Sequence, residues 1–218
     1  LGWLEIVKVR AKPTTFGPYE SMVRQTIEPY FRNKPITLKD LEARHIQQFY
    51  SEKLKTVKPN SVIHYHAVIH QALKYAMKTD LVAQNVAMKV DRPKKNDFQP
   101  VFLDAAELQH LFEVVKGTKL ELPVLVAAFY GLRRGEVLGL KWDAIDFERG
   151  TLTIKRTVTS VNVGGKTQII EQESAKTKSS MRTLPLVGRF KEYFAEVKAA
   201  QELNKQVCGN CYNYEYGG

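Results

Sequence analysis

The chain has 218 residues, of which 44% are hydrophobic, and a formal net charge of +10. That hydrophobic content is enough for one good core or two modest ones, which excludes a disordered chain. No apolar run approaches the length of a bilayer-spanning helix, and two cysteines are too few for a disulfide framework, so we expect a cytoplasmic globular protein without a membrane partner.

The positive charge is distributed unevenly along the chain. From Leu1 to Arg92 there are 15 Lys plus Arg against 8 Asp plus Glu, a net of +7, whereas the remainder has 18 against 15, a net of +3. Such an excess favours a polyanionic partner, most often nucleic acid and less often an anionic membrane surface. We therefore expect residues 1–92 to bind the phosphate groups of that partner.

Four amphipathic helices are predicted in the first ninety or so residues, which favours a small helical bundle. Thr37 and Asp40 form a capping-box pattern ahead of the third helix, and Ser61 is expected to open the fourth. The segments with apolar residues near helical spacing are 1–12, 18–31, 36–54 and 61–78.

A polar stretch containing Pro93 and Pro100 is the best domain boundary in the chain. It predicts a helical domain over residues 1–92, a linker over 93–101 and a second domain over 102–218.

The second domain is predicted to mix helices with strands, because helical spacing alternates with short runs of β-branched residues. Asp104 and Glu107 form a capping box at its start. The fold class is therefore mainly α with a small antiparallel sheet inserted among helices. Helices are predicted over 105–115, 121–130 and 187–203, and strands over 151–158, 166–172 and 181–186, the last two strands joined by a polar turn.

Two adjacent arginines interrupt an otherwise apolar stretch, "AAFYGLRRGEVLGLKW". Gly131 should end one helix, so that Arg133 and Arg134 lie at the start of the next, with Glu136 three residues beyond Arg133. A guanidinium beside a buried apolar run is costly unless it is paired, and Glu136 can supply the pairing. From spacing alone the group is either a structural ion pair, two solvated arginines or an anion-binding site.

A second cationic element, "AKTKSSMRTLPL", places Lys176 and Lys178 in the connection between two predicted strands. Lysines in such turns usually serve only solubility, although they can also project from a hairpin toward a ligand.

Together these segments resemble the tyrosine recombinase, or phage integrase, family. "GLRRGEVLGLKWDAIDFERGTLTI" is similar to the family's first arginine box, and "KTKSSMRTLPL" resembles its catalytic β-hairpin. "FLDAAELQHLF" resembles the opening of its catalytic domain, and the residues before Pro93 resemble its helical core-binding domain. The resemblance covers nearly the whole chain and looks closest to integrases of Gram-positive phages and conjugative transposons. It implies a core-binding bundle followed by the first part of an α+β catalytic domain.

The resemblance assigns roles to individual residues. Arg133 matches the first catalytic arginine, which binds the non-bridging oxygens of the scissile phosphate, where a planar two-pronged donor suits the developing charge. Glu136 matches the acidic residue that orients it. Lys176 matches the hairpin lysine that protonates the leaving 5′ oxygen, and Lys178 is its nearest rival. Arg134 matches no catalytic position and is expected to be structural or a phosphate contact.

The resemblance implies site-specific DNA recombination without a metal or cofactor, because a tyrosine nucleophile conserves bond energy in a 3′ phosphotyrosyl link. The chain departs from the family pattern in its later boxes, since no histidine is followed three residues later by arginine. Tyr212, Tyr214 and Tyr216 come too soon after the hairpin motif and are interpreted as an aromatic loop. We expect the parent protein to be an active integrase that is truncated here within the catalytic domain, and this chain alone not to cleave DNA.

The implied partner is double-stranded DNA at attachment sites, gripped in a C-shaped clamp, with a homotetramer of the full-length parent and an accessory directionality factor. Two alternatives stay open, namely a non-catalytic DNA-binding regulator that occupies attachment sites and, with less support, an RNA-binding protein. Candidate phosphate contacts, besides Arg134 and Lys178, are Lys8, Arg10, Lys12, Lys55, Lys58 and Lys74.

Two further groups of residues could in principle bind a metal. His66 and His70 are spaced i, i+4, but no third ligand is placed to complete a site, so we interpret them as surface or groove-facing residues near the phosphate backbone. Cys208 and Cys211 form one C-x-x-C, half of a zinc site, and are interpreted as reduced thiols in a loop.

Overall fold

A computed structural model of the chain describes residues 1–173 and 181–212, which fall into two compact units. The boundary follows the polar stretch before residue 102, except that the tip of a later hairpin groups with the first unit. The sequence analysis did not separate that tip from the second domain. Unit 1 comprises Leu1–Val101 and Ser160–Gln168, and unit 2 comprises Phe102–Thr159 and the described residues from Ile169 onward.

Unit 1 is built mainly from helices, as its amphipathic segments predicted. They are α1 (Gly2–Arg10), α2 (Pro13–Met22), a π-helical turn (Val23–Ile27), α3 (Glu28–Arg32), α4 (Ala43–Lys53), α5 (Pro59–Lys78) and a 3-10 turn (Val86–Lys89).

The second predicted helix starts earlier than expected and contains a π-helical turn. Pro13 occupies its first turn, where a missing N–H leaves no hydrogen bond unmade, and Lys12 is the N-cap. Pro18, taken from sequence as the start, lies inside α2. The helical course then continues through the π-helical turn and α3 as far as Arg32.

The predicted cap of the third helix is wrong, because α4 begins only at Ala43. Thr37 Oγ1 donates to Asp40 Oδ2 at 2.5 Å, so this pair closes a turn ahead of the helix. Glu42 is the N-cap instead, and its N–H donates to Nδ1 of His45 at 3.1 Å. A histidine at the third helical position was not recognised as a capping partner from sequence.

The core of unit 1 gathers around α4 and α5. Ser61, predicted to open α5, lies in its first turn, since the helix begins at Pro59. The apolar residues of α5, predicted to lie on one helical face, pack inward against aromatic side chains of α4. Each aromatic side chain buries a large apolar area. The buried cluster consists of Ile46, Phe49, Tyr50, Val62, Ile69, Leu73, Ala87 and Val90.

The remaining elements follow in chain order. The capping box predicted at Asp104 and Glu107 is confirmed, with each backbone N–H donating to the other carboxylate at 2.8–2.9 Å. The elements are α6 (Ala105–Val115), α7 (Glu121–Tyr130), α8 (Arg134–Leu138), a 3-10 turn (Trp142–Ala144), β1 (Ile145–Asp146), β2 (Thr151–Ile154), β3 (Arg156–Val163), β4 (Lys166–Glu173), β5 (Arg182–Pro185), α9 (Phe190–Cys208) and a 3-10 turn (Gly209–Cys211).

The strands divide between two sheets. The single strand predicted over 151–158 is two strands, because β2 pairs antiparallel with β1 and β5 whereas β3 pairs with β4. Gly164 and Gly165 join β3 to β4 with φ of +60° and +79°, which suits the two-residue turn of a tight hairpin. Among the described residues, therefore, β4 and β5 do not pair with each other as the predicted hairpin required.

The predicted fold class, mainly helical with small antiparallel sheets, is confirmed. In unit 2 the apolar face of the β1–β2–β5 sheet packs against α7 and α9, with Val126, Leu152, Ile154, Phe190 and Phe194 in one buried cluster. In the part of the chain that the structure describes, no helix is both long and apolar enough to span a membrane.

Candidate active site

The turn between α7 and α8 presents the first arginine of the sequence motif. Gly131 ends α7 in the left-handed region, with φ of +61°, a conformation that glycine adopts without steric cost. Leu132 then turns into the core of unit 2 and is 7% exposed. Arg133 follows as the N-cap of α8 in extended conformation, as its position after a glycine predicted.

Helix α8 lies directly against the start of β3. A Cβ on Gly139 would stand 2.7 Å from the carbonyl oxygen of Arg156, and one on Gly135 would stand 3.2 Å from that of Val158. At Gly139 a Cβ would overlap this backbone, whereas at Gly135 it would make an unusually tight contact. The position of α8, and hence of Arg133, is fixed by this contact.

Glu136 is the centre of the site and one of the most buried charged residues, with 4% exposure. Its Oε2 accepts the backbone N–H of Arg133 at 2.9 Å, and its Oε1 accepts Nη1 of the same residue at 3.2 Å. From strand β5, Arg182 donates Nη1 to Oε1 at 3.1 Å and Nη2 to Oε2 at 2.9 Å. The carboxylate therefore holds two guanidinium groups, one of them in a bidentate fork.

These hydrogen bonds keep Glu136 ionised in spite of its burial. The hydrogen bond from Arg182, followed by the backbone N–H and side chain of Arg133, lowers the pKa of Glu136 to about 2, although burial alone would raise it. The same pairing raises the pKa of Arg182 above its ordinary value. Glu136 and Arg182 are therefore both charged at neutral pH.

The Arg133 side chain remains 82% exposed, although it is tied at one end to a buried carboxylate. Only one of its side-chain nitrogens contacts Glu136 in the structure, so the rest of the fork faces solvent. A guanidinium held in this way is a preorganised donor for an oxyanion, because its orientation is fixed before the ligand arrives. The site can thus bind a phosphate, carboxylate or similar anion.

The chain resembles known integrases and tyrosine recombinases. The model of the phage integrase N-terminal SAM-like domain matches residues 2–54. A XerC-like tyrosine recombinase from Caldanaerobacter subterraneus subsp. tengcongensis is 28% identical over 225 residues, which span 96% of this chain and 56% of the relative. The chain is therefore similar to a tyrosine recombinase over nearly its whole length. A prophage integrase of Escherichia coli K12, IntR, is 26% identical over 167 residues, or 77% of this chain and 38% of the relative.

Solved structures of similar fold are also integrases. The Tn1549 transposon integrase in complex with a circular intermediate DNA has a TM-score of 0.65 at 18% identity, covering 89% of this chain and 63% of its own. A lambda integrase dimer bound to a COC′ core site has a TM-score of 0.65 at 19% identity. The match covers 90% of this chain and 67% of the lambda integrase chain. This chain spans about half the length of the curated relatives it matches.

The other residues singled out from the sequence lie apart from Glu136 or outside the described part of the chain. Arg134 is exposed on α8, while Glu136 contacts Arg133 and Arg182. Lys176 and Lys178 fall in the segment 174–180, outside the described residues, as do Tyr214 and Tyr216. Tyr212 follows the last 3-10 turn, with Lys205 Nζ 5.9 Å from the centre of its ring.

The candidate phosphate contacts of unit 1 are exposed wherever the structure describes them. Lys12 and Lys58 are the N-caps of α2 and α5, where their charge adds to the positive end of each helix dipole. The exposed side chains are those of Lys8, Arg10, Lys12, Lys55, Lys58 and Lys74.

His66 and His70 have a structural role that the sequence did not indicate. Their rings stack with centroids 6.0 Å apart, and Nδ1 of His66 lies 2.9 Å from the hydroxyl of the buried Tyr50. Burial, with smaller contributions from Arg92 and His70, lowers the pKa of His66. Both rings are half-buried and line a cavity of about 970 Å³ together with Arg92.

Cys208 and Cys211 are free and exposed at the end of α9 and in the turn after it. Within residues 1–173 and 181–212, no group of three or more His, Cys, Asp or Glu side chains could hold a metal ion.

Arg182 is the functional candidate that the sequence analysis missed. It lies 46 positions from Glu136, so no local spacing rule connects the two. The available signal was an arginine at the second position of the predicted strand "MRTLPL", after a segment with two lysines, and that signal does not specify a partner.

Proposed function

We propose that the complete protein catalyses site-specific recombination of DNA, integrating or excising a mobile element or prophage through a 3′ phosphotyrosyl intermediate. The similarity of the chain to a tyrosine recombinase and to the phage integrase N-terminal SAM-like domain supports this proposal. The observation that carries it is the Arg133 guanidinium, 82% exposed yet anchored to the buried carboxylate of Glu136. An exposed cation with a buried anchor is suited to a phosphodiester that arrives from solvent.

In this proposal Arg133 binds the non-bridging oxygens of the scissile phosphate, and Glu136 orients it. Lys176 protonates the leaving 5′ oxygen, and Lys178 is the alternative residue for that role. Arg134 either contacts a phosphate or has a structural role. The reaction needs no metal or cofactor, since the bond energy of the cleaved strand is held in the tyrosine ester.

The domain assignment follows the same proposal. Residues 1–92 form the core-binding domain, 93–101 the linker and 102–218 the first part of the catalytic domain. The exposed lysines and arginine of the first domain supply sequence-independent affinity by releasing counterions from the phosphate backbone. The excess of +7 over residues 1–92 is consistent with that use.

The partner is double-stranded DNA at attachment sites, in the cytoplasm of the host. Support comes from the Tn1549 and lambda integrases, which were solved with circular intermediate DNA and with a core site. We further propose a homotetramer of the complete protein on DNA and an accessory directionality factor, both implied by family resemblance.

DNA binding is testable with the 218-residue chain. The association constant for a duplex of about 30 base pairs is measured across a series of salt concentrations, with duplex RNA as competitor. Each phosphate contact contributes about −0.9 to the slope of log K against log salt, so we expect a steep negative slope and a preference for DNA. A slope near zero contradicts binding through the DNA phosphates, and a preference for RNA supports the RNA-binding alternative.

Catalysis is testable with the product of the complete gene. The protein is incubated with a nicked duplex that carries the junction between element and chromosome, and the products are separated under denaturing conditions. We expect a covalent protein–DNA adduct that is lost in Arg133→Gln. Specific binding without any adduct supports the non-catalytic regulator instead.

A further inference from the structure

We propose that Arg182 is a positioning residue for Arg133, acting through the carboxylate of Glu136. The inference rests on the proposed function, because positioning matters only if Arg133 binds a phosphodiester. It adds a third residue to the pair formed by Arg133 and Glu136, and the family resemblance gave that residue no role.

The hydrogen bonds around Glu136 are unequal. Arg182 forms a bidentate fork, with Nη1 3.1 Å and Nη2 2.9 Å from the two oxygens. The Arg133 side chain has a single, longer contact of 3.2 Å to Oε1. Because the fork fixes the plane of the carboxylate, it also fixes where Oε1 can hold Arg133. Arg182 thus sets the geometry, while Arg133 keeps most of its donors for a ligand.

The charge balance of the cluster supports the same role. One carboxylate paired with one guanidinium would be a neutral pair with little attraction for an anion. With Arg182 as a second cation the cluster carries a net charge of +1, which matches the single negative charge of a phosphodiester. The side chain of Arg182 is 31% exposed against 82% for Arg133, so the less accessible arginine neutralises Glu136 and the accessible one is left for the ligand.

The strand register explains how Arg182 reaches the site. Arg182 pairs with Ile154, which is 1% exposed, at the end of the β2–β5 ladder. In the sequence, Lys178 and Lys176 precede Arg182 by four and six residues. The ion pair with Glu136 therefore holds the start of β5, which follows the two candidate proton donors in the sequence. The Glu136 carboxylate thus connects the motif that contains Arg133 with the motif that contains the two lysines.

The test follows the side chain of Arg133 directly. The 218-residue chain is labelled with ¹⁵N, and the Arg133 Nε–H resonance is assigned by its loss in Arg133→Gln. Dimethyl phosphate, which has the single charge of a DNA phosphodiester, is then titrated into the wild-type chain, Arg182→Gln and Arg182→Lys. We expect the affinity reported by Arg133 to fall about tenfold in Arg182→Gln, since a partly shielded unit charge and an orienting fork are both lost.

The lysine variant separates orientation from charge. A lysine keeps the positive charge but cannot hold both carboxylate oxygens at once, so Arg182→Lys should bind more weakly than the wild-type chain and more tightly than Arg182→Gln. Wild-type affinity in either folded variant overturns the proposal. If Arg182→Gln fails to fold, the comparison of Arg182→Lys with the wild-type chain decides alone.

A matched control uses Arg156, another half-buried arginine of unit 2 that pairs with two carboxylates, those of Asp143 and Glu171. Arg156→Gln should leave the Arg133 response unchanged, and an equal loss there would overturn the specific role of Arg182. If the wild-type Arg133 resonance responds neither to dimethyl phosphate nor to duplex DNA, the proposed function fails, and this inference with it. A normal wild-type response with normal variants removes only the role of Arg182.

Discussion

Each unit of the molecule contains a buried glutamate paired with an arginine, yet the two sites differ in what they leave exposed. In unit 1, Glu20 is 8% exposed and accepts the Gly164 N–H at 2.7 Å and Arg24 Nε at 3.0 Å. The hydrogen bond from Gly164, together with Arg24, lowers the pKa of Glu20. In unit 2, Glu136 holds two arginines, and one of them, Arg133, points most of its fork to solvent.

Spacing within the sequence does not distinguish a structural pair of this kind from a functional one. Arg24 and Glu20 stand four residues apart on a helix, and Arg133 and Glu136 stand three apart. Arg24 is also within 3.8 Å of Glu5, so its charge is shared between two carboxylates. At Glu136 the ratio is the opposite, because two arginines pair with one carboxylate. One positive charge is therefore left for a ligand.

The largest difference between the two sites should appear in catalysis. In the complete gene product, Arg133→Gln is expected to reduce strand cleavage by about 100- to 1000-fold, the usual effect of removing one preorganised donor. The measurement is the rate of covalent adduct formation on a nicked junction substrate. Stability should change by less than about 0.5 kcal/mol, since the side chain is 82% exposed.

Arg24→Gln is the matched control, because it also removes an arginine from a buried glutamate. Its cleavage rate should equal that of the wild-type protein. Equal losses in the two variants would show that both arginines act only through folding.

Glu136→Gln should have the largest effect on stability. The pKa of Glu136 lies near 2 against an ordinary 4.5, which corresponds to about 3 kcal/mol of unfolding free energy for unit 2 at neutral pH. The measurement is chemical denaturation followed by Trp142 fluorescence in a Trp3→Phe background, because unit 1 contains Trp3 and unit 2 contains Trp142.

The pH dependence gives this prediction its sign. A pKa lowered by folding stabilises the protein above pH 4.5 and loses that contribution as the pH falls toward 2. The difference between the wild-type chain and Glu136→Gln should therefore shrink to less than half between pH 6 and pH 3. A difference that is constant over this range contradicts the assignment. Glu20→Gln should cost less, because only one of its two partners is charged.

Gly17→Ala should destabilise unit 1 by about 2 kcal/mol, within the usual range for overpacking. A Cβ at this position would stand 2.4 Å from Val161 Cγ2 and 2.5 Å from the carbonyl oxygen of Asn162, so the hairpin tip must move away and the Glu20–Gly164 hydrogen bond with it. Trp3 fluorescence in a Trp142→Phe background reports the change.

Gly2→Ala is the control for Gly17, because Gly2 also lies in a helix and no atom stands within 4 Å of the position that a Cβ would take there. It should be neutral or slightly stabilising. An equal loss of stability in both variants would mean that helix content, and not the close contact, accounts for the effect.

Only a small loss of stability is expected for Arg24→Gln. The side chain is 46% exposed, and ion pairs of that exposure contribute about 0.5 kcal/mol or less. Denaturation of unit 1 followed by Trp3 fluorescence measures it. A loss comparable to that of Glu136→Gln would remove the contrast between the two sites.

Local features were predicted well from the sequence, and contacts between distant segments were not. The Gly131 break, the start of α8 after Arg133 and its pairing with Glu136 all depend on residues within six positions of one another. The capping box of α6 is local in the same sense. Arg182 escaped prediction because its partner Glu136 lies on another element, 46 positions away in the sequence.

The errors in the elements also have physical causes. Alternation of β-branched residues continues through Lys155, so the sequence did not show that β2 and β3 join different sheets. Thr37 and Asp40 have the chemistry of a capping box but close a turn, and Glu42 with His45 caps the helix instead. In each case the same local pattern is compatible with two tertiary arrangements.

The grouping of residues 160–168 with unit 1 affects how the protein can be cut into pieces. A recombinant fragment that ends at Val101 would lack Gly164, so Glu20 would lose its backbone donor and the surface at Gly17 would be uncovered. The packing unit is assembled from two stretches of chain that are far apart in sequence. An excised N-terminal piece is therefore chemically different from the same residues in the whole chain.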